Sequence, residues 1–344
     1  MKIITAQFMA TTFCALSMIS QAHAVESINV QTFNPSTSDH FVVLEDGFKS
    51  EWPKKSKFYF GANYNYVSDP LVVLDSTQTT KSYNIIDSIQ TMDLFFGMKA
   101  ANNLAFFIGA PVHFISFPSA FPVGTQVAFP TGNKTAFGDL KLMAKIRMTD
   151  DTSNTNISLI PEIHLPTGST AYFLSDASAY LGVRAALERQ FESWTLLLNL
   201  GFAAASNSRY QDAVFSSPID YRKRLITGVG GFLPFNDQWG LNIEVNNINM
   251  LPFDKNLNPN DAYAGIRYAA NDSLIFTGGA SVGRIGGSQG QEVRAIAGVR
   301  YTISEEQKQA PKPLPVAPAA TPSASPTPKP APAVKASSTT KKKK

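Results

Sequence analysis

Residues 139 to 148 alternate between polar and apolar side chains with a period of two. Leu140, Leu142, Ala144, Ile146 and Met148 share one face, and the other carries Asp139, Lys141, Lys145, Arg147 and a single apolar residue, Met143. A helix would mix the two sets on one side, so the pattern indicates a strand. Strands of soluble sandwiches usually run about five or six residues, whereas about ten are needed to cross a bilayer at a tilt. The stretch therefore predicts a transmembrane strand with one face towards lipid and the other towards a lumen.

The same alternation recurs along most of the chain. The twelve predicted strands cover residues 57–67, 85–98, 104–115, 139–148, 156–165, 181–188, 194–202, 224–233, 241–246, 262–268, 274–283 and 292–302. Connections after even-numbered strands are short, and those after odd-numbered strands are long, as expected for periplasmic turns and external loops. We therefore predict an all-β fold: a transmembrane antiparallel up-and-down β-barrel of twelve strands over residues 56–303. Both termini are predicted to be periplasmic, in the outer membrane of a Gram-negative bacterium.

The first 24 residues predict a signal peptide. Lys2 gives the positive start, residues 8–19 are largely apolar, and a small-x-small cleavage site ends at Ala24. Cys14 raises a lipoprotein alternative, but the preceding Phe13 is large where a lipobox requires a small residue. The predicted mature chain has no cysteine, which excludes disulfides and thiolate metal sites.

The regions flanking the barrel differ from it in composition. Residues 25–55 predict either a periplasmic arm or a plug that folds back into the barrel, and both alternatives stay open. Residues 304–344 predict a disordered periplasmic tail, because from residue 305 onward there are nine prolines, eight lysines and two glutamates, a net charge of +6. Residues 25–304 hold 21 basic and 24 acidic residues, a net charge of −3. The basic character of the whole chain thus belongs to the tail.

The tail ends in four lysines: Lys341, Lys342, Lys343 and Lys344. One interpretation is a solvated solubility tail, and another is an electrostatic contact with anionic polymers of the cell wall such as peptidoglycan. Nucleic acid would also attract this charge, but export argues against that partner.

Thirteen ionisable residues are predicted to face the lumen. They are Asp93, Asp139, Lys141, Lys145, Arg147, Glu162, Arg184, Glu188, Arg224, Glu244, Arg267, Arg294 and Arg300. Carboxylates are expected to face guanidinium groups on neighbouring strands, for example Glu162 near Arg184 and Glu244 near Arg267, because an isolated buried charge is costly. Such a set is either a charged constriction that selects solutes or a salt-bridged interior that passes little. Twelve strands about 4.8 Å apart, tilted near 40°, give a backbone diameter of roughly 24 Å, which long side chains could largely fill.

Aromatic residues cluster near the ends of the predicted strands. Tyr59, Tyr64, Tyr66, Trp194, Trp239, Tyr268 and Tyr301 predict an aromatic girdle at the membrane interfaces, with core packing as the alternative for some of them.

Catalysis is not predicted. A twelve-stranded outer-membrane phospholipase would need a Ser/His pair on the lipid face, whereas His113 and His164 have the parity of the lumen and His40 precedes the barrel. No spacing of His, Asp and Glu suggests a metal, and no cofactor is expected.

Several short motifs are similar to those of known outer-membrane proteins. The stretch 138–147 and the Leu165-Pro166-Thr167-Gly168 end of the next strand resemble OmpA-family proteins in which a large N-terminal barrel precedes a periplasmic domain. They are also similar to outer-membrane proteins assigned to a phenol-degradation (MetA) pathway. Residues 33–35, 69–72 and 298–301 add to the likeness, which covers residues 25–302. The Pro- and Lys-rich tail stands where the OmpA pattern has its peptidoglycan-binding domain, so that domain is not predicted and its wall-binding residues cannot be carried over.

These observations favour a non-enzymatic, narrow porin-like passage for small solutes through a charged lumen. The alternative is a structural envelope protein with a plugged barrel and a basic tail that contacts the cell wall. Expected partners are outer-membrane lipid and, during biogenesis, the barrel-assembly machinery.

Overall fold

The computed structural model describes residues 33–48, 56–74, 81–120, 129–150, 153–175, 178–205, 209–210, 219–220, 223–251, 259–285 and 293–304. The predicted signal peptide, residues 25–32 and 49–55, and the tail from residue 305 lie outside them. The strands are β1 (Ser56–Leu74), β2 (Lys81–Ala101), β3 (Leu104–Phe117), β4 (Gly132–Phe137), β5 (Leu140–Arg147), β6 (Thr155–Leu165), β7 (Tyr180–Gln190), β8 (Thr195–Ala205), β9 (Arg209–Tyr210), β10 (Ile219–Asp220), β11 (Lys223–Pro234), β12 (Trp239–Met250), β13 (Pro259–Asn271), β14 (Leu274–Ile285) and β15 (Val293–Ser304). A 3₁₀ turn covers Thr170–Tyr172. No helix in these ranges is long and apolar enough to cross a membrane.

Twelve of these strands close into a barrel in which every neighbouring pair is antiparallel. The order around the barrel is β1, β2, β3, β5, β6, β7, β8, β11, β12, β13, β14 and β15, and β15 pairs with β1 from Ser304–Ser56 to Arg294–Val67. Strand β4 is an extra strand that pairs with β3, and β9 and β10 pair only with each other. The predicted twelve-stranded antiparallel barrel is therefore confirmed.

The fourth predicted strand, residues 139–148, is present as β5 (Leu140–Arg147), and the structure adds β4 before it. Strand β3 pairs with β5 from Leu104 to Gly109 and with β4 from Val112 to Phe117, so β4 and β5 follow one line along the same neighbour. Pro111 lies at the interruption and has no N–H to give to a ladder. The Gly138 N–H still donates to the Pro111 carbonyl oxygen at 3.0 Å. The alternation that begins at residue 139 thus marks only the second half of a broken strand.

The wall has an apolar outside. In β8, Leu198, Leu200 and Phe202 are exposed by 42%, 59% and 43%, whereas the alternate residues Leu197 and Asn199 are buried. An exposed row of large apolar side chains costs free energy in water and is suited to acyl chains. This alternation gives the barrel the outward apolar belt that the sequence predicts.

Aromatic residues at the strand ends behave in two ways. Trp194, Trp239 and Tyr301 are exposed, and Trp194 stacks on Phe191 beside the β7–β8 turn with ring centroids 4.5 Å apart. Tyr59, in contrast, is 1% exposed and its hydroxyl donates to the Thr37 carbonyl oxygen at 3.1 Å. The prediction of Tyr59 as a girdle residue is therefore wrong, because its parity directs it into the lumen.

The end of the lumen that carries the long connections is apolar. Its buried cluster consists of Val67, Leu71, Ile85, Ile86, Ile89, Ile115, Phe117, Phe173, Leu174 and Met250. These residues come from β1, β2, β3, β12 and the connection after β6. The sequence predicts only a charged interior, so this cluster is an addition to the predicted lumen.

Candidate functional site in the lumen

Residues 33–48, named here the inner segment, occupy the interior of the barrel. They form neither helix nor strand. Phe41, Val42 and Leu44 are fully buried, and Phe41 and Leu44 pack against the inward-facing Leu197 and Phe232. The backbone groups of such a segment have no ladder to satisfy them, so side chains of the wall and of the segment itself must do so; Ser38 Oγ, for example, accepts from the Phe41 N–H at 3.2 Å.

Glu244 on β12 meets the backbone of the inner segment. The N–H of Val42 donates to its Oε1 at 2.7 Å, and those of Val43 and Leu44 donate to its Oε2 at 2.9 and 2.8 Å. The Asn242 side-chain amide adds a fourth donor at 2.9 Å to Oε1. This carboxylate therefore binds the segment through hydrogen bonds to consecutive peptide groups.

Lys145 on β5 forms an ion-pair cluster with two acidic residues of the inner segment. Its Nζ lies 2.9 Å from Oε2 of Glu45 and 2.7 Å from Oδ1 of Asp46. Burial would raise the pKa of Glu45, but the Lys145, Lys141 and Arg184 charges outweigh it and lower that pKa to about 2. Burial opposes ionisation of Asp46 as well, and Lys145 again outweighs it, so the Asp46 pKa is lowered. Both carboxyl groups are thus held ionised against a cation of the wall.

Neutral and acidic groups of the adjacent strands complete this attachment. The Asn199 side chain accepts from the Glu45 N–H at 3.0 Å and donates to the Glu45 carbonyl oxygen at 2.8 Å. The Ser158 hydroxyl donates to the Asp46 carbonyl oxygen at 2.8 Å, and the Gly47 N–H donates to Glu188 at 3.1 Å. Polar side chains of β6, β7 and β8 therefore replace a neighbouring strand for residues 45–47.

Guanidinium groups bind carbonyl oxygens of the first half of the inner segment. Nη2 of Arg300 donates to the carbonyl oxygens of Ser36 at 3.2 Å and Phe41 at 3.0 Å. Nε of Arg267 donates to the Asp39 carbonyl oxygen at 3.0 Å. The wall thus offers acceptors to the N–H groups of the segment and donors to its carbonyl groups.

One of the two predicted carboxylate–guanidinium contacts is present. Oε1 of Glu162 lies 3.6 Å from Nη2 of Arg184, and Oε2 of Glu162 lies 3.7 Å from Nζ of Lys141. The expected pair of Glu244 with Arg267 is wrong, because the β12–β13 register places Arg267 opposite Gly240. The two side chains instead bind different parts of the inner segment. Parity thus predicted the face of each residue correctly but not its partner.

The other predicted lumen residues are distributed along the wall. Arg294 donates to Asn65 Oδ1 at 2.7 Å, and its guanidinium lies 4.9 Å from the ring centroid of Phe33. Asp93 accepts from Asn65 Nδ2 at 3.2 Å. Further contacts are those of Arg147 with the carbonyl oxygen of Asn102, of Arg224 with the ring of Tyr180, and of Asp139 with the N–H of Gly168. Asp139 thus lies at the break between β4 and β5 and holds the connection after β6.

A cavity of about 90 Å³ remains between the inner segment and the wall formed by β2, β3, β5 and β6. Phe33, Asn34, Phe107, Lys141 and His164 are among its lining residues. The Nζ of Lys141 donates to Asn34 Oδ1 at 2.9 Å, which ties the segment to this wall. A space of this size holds only a few water molecules.

The residues that sequence reasoning missed are mainly uncharged. Asn199, Ser158, Tyr59 and Asn242 all contact or support the inner segment, and all have inward parity. Their polar side chains and their inward positions in the alternating strands were the sequence features that could have identified them. The predicted lumen site contains ionisable residues alone, so it omits the amides and hydroxyls that form hydrogen bonds with peptide groups.

Comparison with known proteins supports the fold. No protein-family model matches the chain, and no curated protein matches it either. A COG4313 outer membrane channel from Pseudomonas putida F1 is similar in structure, with a TM-score of 0.53 and 10% sequence identity over 72% of this chain and 96% of that one. The P. putida toluene transporter TodX has a TM-score of 0.42 and 11% identity over 72% and 91%. The first likeness shows an outer-membrane β-barrel fold, while the resemblance to OmpA-family barrels stays a prediction.

Proposed function

We propose that this protein is a non-enzymatic outer-membrane channel for small solutes, and that the inner segment closes its lumen in the described conformation. The wall has the fold of outer-membrane barrels, with an apolar belt outside and a predominantly polar, charged middle section inside. The protein then resides in the outer membrane of a Gram-negative bacterium, with bilayer lipid against its belt.

One observation carries the proposal: the inner segment is attached to the wall by side chains and not by strand pairing. Glu244, Lys145, Asn199 and Arg300 hold it through hydrogen bonds and ion pairs. Water can replace partners of this kind when a lumen becomes hydrated, whereas a strand of the wall cannot leave without opening the barrel. The segment is thus built as a displaceable closure.

Deletion of residues 33–48 tests the proposal. The twelve strands retain their ladder, and the space that the segment occupied inside a wall of roughly 24 Å backbone diameter then becomes available to solvent. We expect well-defined conductance steps in planar bilayers that are larger than those of the full chain, with unchanged heat-modifiable migration as a check on folding. A folded deletion variant that leaves the bilayer silent would refute the channel proposal.

The occupied lumen also favours a second candidate, a structural envelope protein whose barrel never opens. Its basic tail, including Lys341–Lys344, would contact peptidoglycan. Truncation after Ser304 should then weaken co-sedimentation of the folded barrel with peptidoglycan. Unchanged sedimentation together with conductance of the deletion variant would leave the channel as the better account.

A further inference from the structure

We infer that residues 42–44 form a backbone anion-binding site and that the Glu244 carboxylate, bound in it, is the latch that keeps the inner segment in the lumen. This inference rests on the proposed function, because it names the group that controls closure. Consecutive backbone N–H groups that converge on one point are an anion-binding arrangement in many proteins. Here the bound anion is supplied by the wall of the same chain.

The carboxylate is fully used in this position. Oε1 accepts from Val42 and Asn242, and Oε2 accepts from Val43 and Leu44, at distances between 2.7 and 2.9 Å. A carboxylate offers about four lone-pair sites, so each oxygen is saturated. Glu244 is 1% exposed and takes part in none of the ion pairs between described residues. Hydrogen bonds to charged groups are the stronger class, and these four satisfy the buried charge in the absence of such a pair.

Three of these four donors belong to the inner segment. If the segment leaves, Glu244 keeps only Asn242 and must recover its other partners from water, because an unsatisfied buried carboxylate is costly. Release of the segment and hydration of the lumen are therefore one coupled step. This coupling favours two states. In one the segment is bound and Glu244 is shielded from water, and in the other the segment is released and the lumen is hydrated.

Other anchors of the segment differ from this one. Glu188 accepts the backbone N–H of Gly47 at 3.1 Å. Lys145 binds the side chains of Glu45 and Asp46, so its effect depends on the identity of those residues. Glu244 contacts the inner segment only through its backbone N–H groups. The side chains of Val42 and Val43 therefore pack with Phe33, Tyr263 and Ile296. The strongest backbone attachment of the segment is therefore concentrated on one residue.

The experiment uses a thiol reporter in the full chain. Cys14 is the one cysteine of the sequence and lies in the predicted signal peptide, so Val43→Cys introduces the single thiol of the predicted mature protein. Val43 is 5% exposed, so a membrane-impermeant maleimide should label it slowly in vesicles. Adding Glu244→Ala should accelerate labelling at least about tenfold, and Glu244→Gln, which keeps one acceptor oxygen, should do so less. Glu188→Gln should have a smaller effect, and Glu192→Gln in the exposed β7–β8 turn should have none.

Chemical rescue separates a latch from general loosening. Acetate or formate can enter the space left by the Glu244→Ala side chain and accept from the same N–H groups, so either should restore slow labelling, whereas chloride at equal ionic strength should not. Labelling at the wild-type rate in both Glu244 variants, or acceleration that acetate and formate leave unchanged, would overturn the inference. If deletion of residues 33–48 opens the channel in that case, the proposed function stands without the latch. If that deletion is silent while the variants accelerate labelling, the channel proposal fails instead.

Discussion

The wall of the barrel and the inner segment come from one chain but are stabilised in opposite ways. The wall closes through main-chain ladders from β1 round to β15, so its backbone groups need no particular side chain. The inner segment has no ladder, and its backbone depends on specific groups such as Glu244, Asn199 and Arg300. Substitutions inside the lumen should therefore loosen the segment and spare the wall, while substitutions on the belt should do the reverse.

The largest effect is expected for Lys145→Met. It leaves Glu45 and Asp46 buried without their cation, and breaking a buried ion pair in this way costs about 3–5 kcal/mol. Because the cost falls on the bound segment, protease cleavage within residues 33–48 should become rapid in the folded barrel. The urea midpoint of the wall should change much less.

A matched control separates loss of the pair from loss of packing. The triple variant Lys145→Met, Glu45→Gln and Asp46→Asn removes all three charges together and should recover most of the protection. If Lys145→Met alone leaves the protein as resistant to protease as the wild type, the ion pairs contribute little to closure.

The next effect concerns the wall. Leu200 lies at the centre of β8 and is 59% exposed on the belt. Leu200→Arg places a charge near the bilayer midplane, which costs about 2–4 kcal/mol in β-barrels. We expect a lower urea midpoint for unfolding in lipid vesicles and unchanged protection of the inner segment at low urea. Glu192→Arg, in the turn of the same hairpin, serves as the control and should leave the midpoint in place.

The same division explains how much the sequence could predict. Period-two alternation and chain parity were enough for the twelve strands and for the lumen face of residues such as Glu162 and Arg300, since both depend on local order along one strand. The predicted fourth strand begins where the structure has its break at Gly138–Asp139, beside Pro111 of β3. Strand β4, which precedes that break, was not predicted.

The contents of the lumen could not be derived in this way. Residues 33–48 have no period, so the sequence left open whether they form an arm or a plug. Most of their partners lie on strands that are distant in the sequence, and the stagger between those strands decides which side chains reach the same level. Glu244 lies opposite Tyr263, and Arg267 opposite Gly240. That two residues of opposite charge lie on adjacent strands was therefore not enough to predict that they form an ion pair.

The smallest effect is expected at Arg267 and follows from that correction. Its Nε donates a hydrogen bond to the Asp39 carbonyl oxygen at 3.0 Å, its guanidinium lies 5.9 Å from the ring centroid of Phe232, and the side chain is half-buried. Arg267→Met should therefore weaken protection of the segment by only about 1 kcal/mol, because water can take over part of the lost bond. Protease protection of residues 33–48 measures it, with Glu244→Ala for comparison. A loss as large as that of Lys145→Met would mean that Arg267 pairs with a buried carboxylate after all, as the charge pattern alone had suggested.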